Sequence, residues 1–157
     1  MRSRLVLFHA ITLLSISTWS QEIRIRVLDG RNGHPIRDHQ INIWLHENDE
    51  HVTVWSDRHS VRQLLPSTDK QGTITLHIHP EENYITLFSA NYPDCRKLTM
   101  GNGGLIDPAY SLAEISKSGV IVSNKCGKFT LTPNPGELLY FVRPWHWWES
   151  LLAAFKS

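Results

Sequence analysis

The stretch EIRIRVLDGRNGHPIRDHQINIWL, Glu22 to Leu45, decides how the rest of the chain is read. Ile23, Ile25 and Val27 alternate with Arg24 and Arg26, and after Leu28 comes Asp29. A period of two sends one set inward and the charged set outward. Gly30, Asn32 and Gly33 then interrupt the run with residues that tolerate positive φ. Pro35 fixes φ and lacks a donor, which suits a turn or the start of a strand. Ile41, Ile43 and Leu45 alternate again, with Asn42, Trp44 and His46 between them. Two alternating runs around a Gly/Asn/Pro turn predict a pair of strands joined as a hairpin.

The remainder reads as strands added to that pair. His46 to His51 is a polar loop, Val52 to Trp55 a short strand, and Asp57 to Thr68 an irregular connection. Thr73 to His79 forms a strand with Ile74, Leu76 and Ile78 on one face, and Pro80 to Asn83 turns the chain into a strand at Tyr84 to Ala90. Asn91 to Pro108 is a loop, and Tyr110 to Ser116 makes one or two helical turns with Leu112 and Ile115 inward. Gly119 to Ser123 and Phe129 to Leu131 are short strands. Leu138 to Val142 is a continuous apolar run bounded by turn residues, as in a central strand buried on both faces. Pro144 suits the first position of a helix, and Trp145, Trp148, Leu152 and Phe155 fall on one helical stripe. Seven or eight short strands and little helix predict an all-β sandwich.

VLDGRNGHPI, Val27 to Ile36, followed by an alternating strand, resembles the first strand and turn of carboxypeptidase regulatory-like domains. STDKQGTITLHI, Ser67 to Ile78, resembles that family's polar turn, Asp and Gly leading into a strand. The resemblance implies a prealbumin-like, Ig-like β-sandwich related in shape to transthyretin, of about seven strands with a short C-terminal helix. GVIVSNKCGKF and PGELLYFVRP resemble segments of small secreted bacterial proteins, for which the resemblance implies a fold and no activity.

Residues 1–20 are set apart as a signal peptide. Arg2 and Arg4 form a basic start, Leu5 to Ile16 is apolar but too short to span a bilayer well, and Thr18 and Ser20 suit the cleavage positions. Residues 21–157 make one domain. Removing Arg2 and Arg4 from the 16 Lys and Arg leaves 14 against 15 Asp and Glu. Such a balance, with no basic run, gives no electrostatic support to nucleic-acid binding. No later stretch is long and apolar enough for a membrane span. The two cysteines, Cys95 and Cys126, are expected to form a disulfide in an exported chain.

Four chemistries bear on these residues. The urate-pathway hydrolases of transthyretin shape carry a His directly before the Val-Leu-Asp segment and end in Tyr-Arg-Gly-Ser. Here Arg26 holds the first position, and an Arg does not serve as a general base at neutral pH; the tetrapeptide is absent from the chain. For metal, His77 and His79 share a strand face, and His46 and His51 bracket Glu47, Asp49 and Glu50, but no tight ligand spacing such as His-Glu-x-x-His occurs. The plainer reading makes these histidines solvent-facing, so no cofactor is expected. No G-x-S-x-G elbow supports a Ser-His-Asp hydrolase. Last, Trp145, Trp147 and Trp148 cluster near the C-terminus, where they either stack on sugars or a partner or close one end of the sandwich.

The resulting expectation is a secreted or periplasmic, non-catalytic accessory or binding module, with a protein or carbohydrate at the cell surface as its partner. The alternative is a metal-binding protein or a hydrolase using the histidines.

Overall fold

A computed structural model describes residues 21–48, 61–96, 99–101, 104–106 and 108–145. The predicted signal segment, the strand at 52–55, His51, Trp147, Trp148 and the expected C-terminal helix beyond Trp145 lie outside these residues, while Pro144 and Trp145, its expected start, are not helical. The described residues form ten strands and one short helix. They are β1 (Gln21–Asp29), β2 (Ile41–His46), β3 (Val61–Leu64), β4 (Thr73–Ile78), β5 (Tyr84–Ser89), β6 (Thr99–Gly101), β7 (Gly104–Ile106), β8 (Tyr110–Ser111), α1 (Leu112–Ser118), β9 (Val120–Ile121) and β10 (Glu137–Val142). One sheet has the order β4-β1-β10-β9 and the other β3-β2-β5-β8, while β6 and β7 form a two-stranded ribbon. The chain is therefore all-β, with a tally of strands above the seven or eight expected.

The opening hairpin is not formed. β1 pairs antiparallel with β4 and parallel with β10, whereas β2 pairs with β3 and β5 in the other sheet. The chain does fold back after β1: Asp29 N–H donates to His34 O at 2.8 Å and Ile36 N–H to Val27 O at 2.9 Å. That return ends at Ile36, and Asp38, with φ of 50°, turns the chain toward the second sheet. Alternation gives each strand one apolar face but does not name the strand that supplies its hydrogen bonds. Here Ile23, Ile25 and Val27 of one sheet and Ile41, Ile43 and Leu45 of the other are buried in one common cluster.

β10 is buried along its whole length, as its apolar run predicts. Leu138, Tyr140 and Val142 join the common core. Leu139 and Phe141 join Leu28 and Cys95 in a second cluster, against which Cys126 and Phe129 pack. The strand expected at Phe129 to Leu131 is absent, because Phe129 serves this cluster as a lid, meeting Phe141 edge to face at 6.3 Å.

A disulfide joins Cys95 to Cys126, with an S–S distance of 2.07 Å. Two glycines of the opening stretch admit the loop that it anchors. A Cβ at Gly30 would stand 2.5 Å from Asn124 Oδ1 and 2.7 Å from Cys95 Sγ; at Gly33, where φ is +75°, it would stand 2.2 Å from the Phe129 ring. Other expectations are refined. β3 lies inside the connection read as irregular, and β6 and β7 lie inside the loop read from Asn91 to Pro108. α1 buries Leu112 and Ile115 as expected, and Ser111 caps it by accepting from Glu114 N–H.

Candidate functional site

Because Ile41, Ile43 and Leu45 face the core, Asn42, Trp44 and His46 stand on the outer face of the second sheet. The register sets Asn42 beside Phe88, Trp44 beside Thr86, and His46 beside Tyr84 on β5. Gln63 of β3 flanks Trp44, and Ser111 of β8 flanks Tyr84. One surface thus carries Trp44, Tyr84 and Phe88, all half-buried, among short polar side chains.

Trp44 and Phe88 meet edge to face at 4.9 Å, and His46 stacks on Tyr84 at 6.0 Å. Gln63 Nε2 donates to Asn42 Oδ1 at 3.0 Å. His46 is buried, contrary to the solvent-facing position expected of it. Its Nδ1 lies 2.6 Å from Asn48 O and its Nε2 lies 3.1 Å from Thr86 Oγ1, so both ring nitrogens are engaged. At the Tyr84 end the face opens into a cleft of about 390 Å³ lined by Glu47, Asn48, Asn83, Tyr84, Ser111 and Ala113. At the other end Phe88 leads into Asn91, whose carbonyl accepts the Trp145 indole N–H at 2.6 Å. Trp145 is 44% exposed.

Of the histidines expected as ligands, the described ones, His46, His77 and His79, do not converge. His77 and His79 are exposed on and just after β4, in the other sheet from His46, and His79 Nδ1 lies 3.4 Å from Glu81. Among the described residues, no three His, Cys, Asp or Glu side chains are grouped so as to hold a metal ion.

One Ser–His contact that the sequence did not mark is present. His39 Nε2 lies 2.9 Å from Ser89 Oγ. The ring stacks on Tyr92 at 4.4 Å and 5°, and burial holds the imidazole below its usual value of 6.5. Ser89 Oγ also accepts Tyr92 N–H at 3.1 Å. Ser89 Oγ thus links the His39 ring to the Tyr92 N–H three residues on, in the form of a turn-fixing cap.

The sequence marks Trp145, Trp147 and Trp148 as aromatic binding candidates, whereas Tyr84, Phe88, Asn42 and Gln63 come together only in the folded sheet. The signal was present in parity: Trp44, Tyr84 and Phe88 occupy the positions that alternation assigns to the polar side of β2 and β5.

No family model matches the chain, and no curated protein matches it. A comparison with solved structures returns a 9R-lipoxygenase from Cyanothece, at 9% identity and a TM-score of 0.31. The match covers 88% of this chain and 17% of that one. A likeness at that level carries no argument about fold or activity.

Proposed function

We propose that the chain is an exported, non-catalytic binding module built on an Ig-like, prealbumin-like sandwich, with its ligand site on the outer face of β2 and β5. The observation that carries the reading is the row of Trp44, Phe88 and Tyr84 on the side of the sheet turned away from the core, continuous with the cleft at Tyr84. Aromatic rings set among amides and hydroxyls combine contact area with orientation, the composition of a recognition surface. Export is supported by the signal-like start of the sequence and by the Cys95–Cys126 disulfide, which suits an oxidising compartment. The described residues contain no helix long and apolar enough to cross a membrane.

The test is a probe screen on isotope-labelled protein, read at the tryptophan indole N–H signals and assigned with Trp→Phe variants. The probes are short neutral oligosaccharides, aromatic amino-acid amides and unstructured peptides. The reading requires that at least one class move the Trp44 signal, and that Trp44→Ala abolish binding of that probe without loss of fold. Probes that move only Trp145, or none that moves Trp44, would overturn it.

A further inference from the structure

The hydrogen-bonding groups left over on this face narrow the ligand. Gln63 Nε2 donates to Asn42 Oδ1, which leaves the Asn42 amide N–H groups to donate and Gln63 Oε1 to accept, side by side next to Trp44. Two adjacent hydroxyls satisfy such a pair, one accepting and one donating. The same duality recurs in the cleft. Asn83 Nδ2 donates to Glu47 O, leaving Asn83 Oδ1 to accept. Ser111 Oγ accepts Glu114 N–H, leaving its hydroxyl hydrogen to donate.

Charge narrows the ligand further. The accessible side chains of this face, Asn42, Trp44, Gln63, Tyr84 and Phe88, are uncharged near neutral pH; between them Thr86 and His46 are buried, with both His46 ring nitrogens engaged by Asn48 O and Thr86 Oγ1. Among the described residues Glu47 supplies the one carboxylate of the cleft lining. Among the described residues a phosphorylated, sulfated or uronic-acid ligand finds no cation on this face, and a basic peptide finds one carboxylate at one end. From Tyr84 to Phe88 the row spans about 13 Å at roughly 3.3 Å per residue, which is longer than a single sugar ring.

Resting on the binding-module reading above, we infer that the ligand is a neutral oligosaccharide, stacked through its C–H faces on Trp44 and Phe88, with adjacent hydroxyls bridged by Asn42 and Gln63, and its end in the cleft between Tyr84 and Ser111. Aromatic rings receive the apolar face of a sugar, and amides match its hydroxyls.

The experiment titrates the full mature chain with cellohexaose, maltohexaose, xylohexaose and chitohexaose, with hexagalacturonate as the anionic comparison. Isothermal calorimetry and the Trp44 indole signal are read together. At least one neutral hexamer is expected to bind and to move Trp44, with hexagalacturonate at least tenfold weaker. Trp44→Ala weakens binding at least tenfold, Trp44→Phe weakens it less, and Asn42→Ala combined with Gln63→Ala weakens it several-fold. Thr75→Ala, in the other sheet, leaves it unchanged. Thermal melts verify folding, and Trp44→Phe serves where Trp44→Ala does not fold. If peptides or aromatic amides move Trp44 while no neutral hexamer does, the carbohydrate inference is wrong and the binding face stands. If hexagalacturonate binds as tightly as the neutral sugars, the charge argument is wrong. If nothing moves Trp44, both readings are overturned together.

Discussion

The Tyr140 hydroxyl donates to Asp94 Oδ2 at 2.5 Å, joining the centre of β10 to the segment that leads into the disulfide. Arg96 completes the cluster. It donates to the same carboxylate oxygen and to Leu87 O, with its guanidinium over the Tyr140 ring at 5.3 Å. Tyr140→Phe is expected to cost about 1.5–3 kcal/mol, the range for a hydrogen bond to a charged acceptor. Asp94→Ala should cost more, about 3–5 kcal/mol, because it takes the carboxylate away from a buried guanidinium. Urea unfolding of the two variants gives the order, and equal losses would contradict the arrangement.

Alkaline stability follows from the same group. Burial, and then the Asp94 charge, raise the Tyr140 phenol well above its ordinary value of 10.0. The unfolded chain therefore loses this proton first. Its contribution is complete below about pH 10 and declines as pH rises toward the folded value. Tyrosinate absorbance during an alkaline titration should show Tyr140 ionising together with unfolding, and Tyr140→Phe should flatten that limb.

His39 gives the opposite sign. Burial lowers its value below 6.5, so the unfolded chain takes up the proton first. Its contribution is present above pH 6.5 and is lost as pH falls through the folded value. Denaturant midpoints at descending pH should fall for the native chain and fall less for His39→Phe, which keeps a ring against Tyr92.

Glu82 governs a lower range. Burial pushes its carboxyl up, but the Arg62 hydrogen bonds, the His79 N–H and the Arg62 charge outweigh this and set it below its usual 4.5. Its contribution is present above that value and is lost as pH falls through the folded one. Glu82→Gln should be less stable than the native chain at neutral pH, and the two should converge as the acid limit is approached. A constant gap across the titration would show that the Arg62–Glu82 pair does not act through charge.

The disulfide and its glycines form a further test. Titration of the unfolded, unreduced chain should find no free thiol. Reduction should lower stability by about 3–4 kcal/mol in the loop-entropy model for a separation of 31 residues. Gly33→Ala sets a side chain against the Phe129 ring at positive φ and should cost at least about 1–3 kcal/mol. A Gly33→Ala melt identical to that of the native chain would show that the loop is not seated as described.

The strand alternation, the buried run of β10, the inward Leu112 and Ile115 of α1, and the glycine-bearing turn are legible in the sequence. Each of these follows from local side-chain parity, helical spacing or φ freedom. The sequence also marks Cys95 and Cys126 as partners, since they are the chain's two cysteines. That β1 pairs with β10, more than a hundred residues away, and not with β2 is visible in the folded chain alone. Hydrogen bonds of the backbone are alike for every partner, so pairing is settled by which apolar faces can be buried together. For the same reason Trp44 read as one more residue between core positions. It became part of a surface when β5, folded alongside, brought Phe88 and Tyr84 to the same side of the sheet.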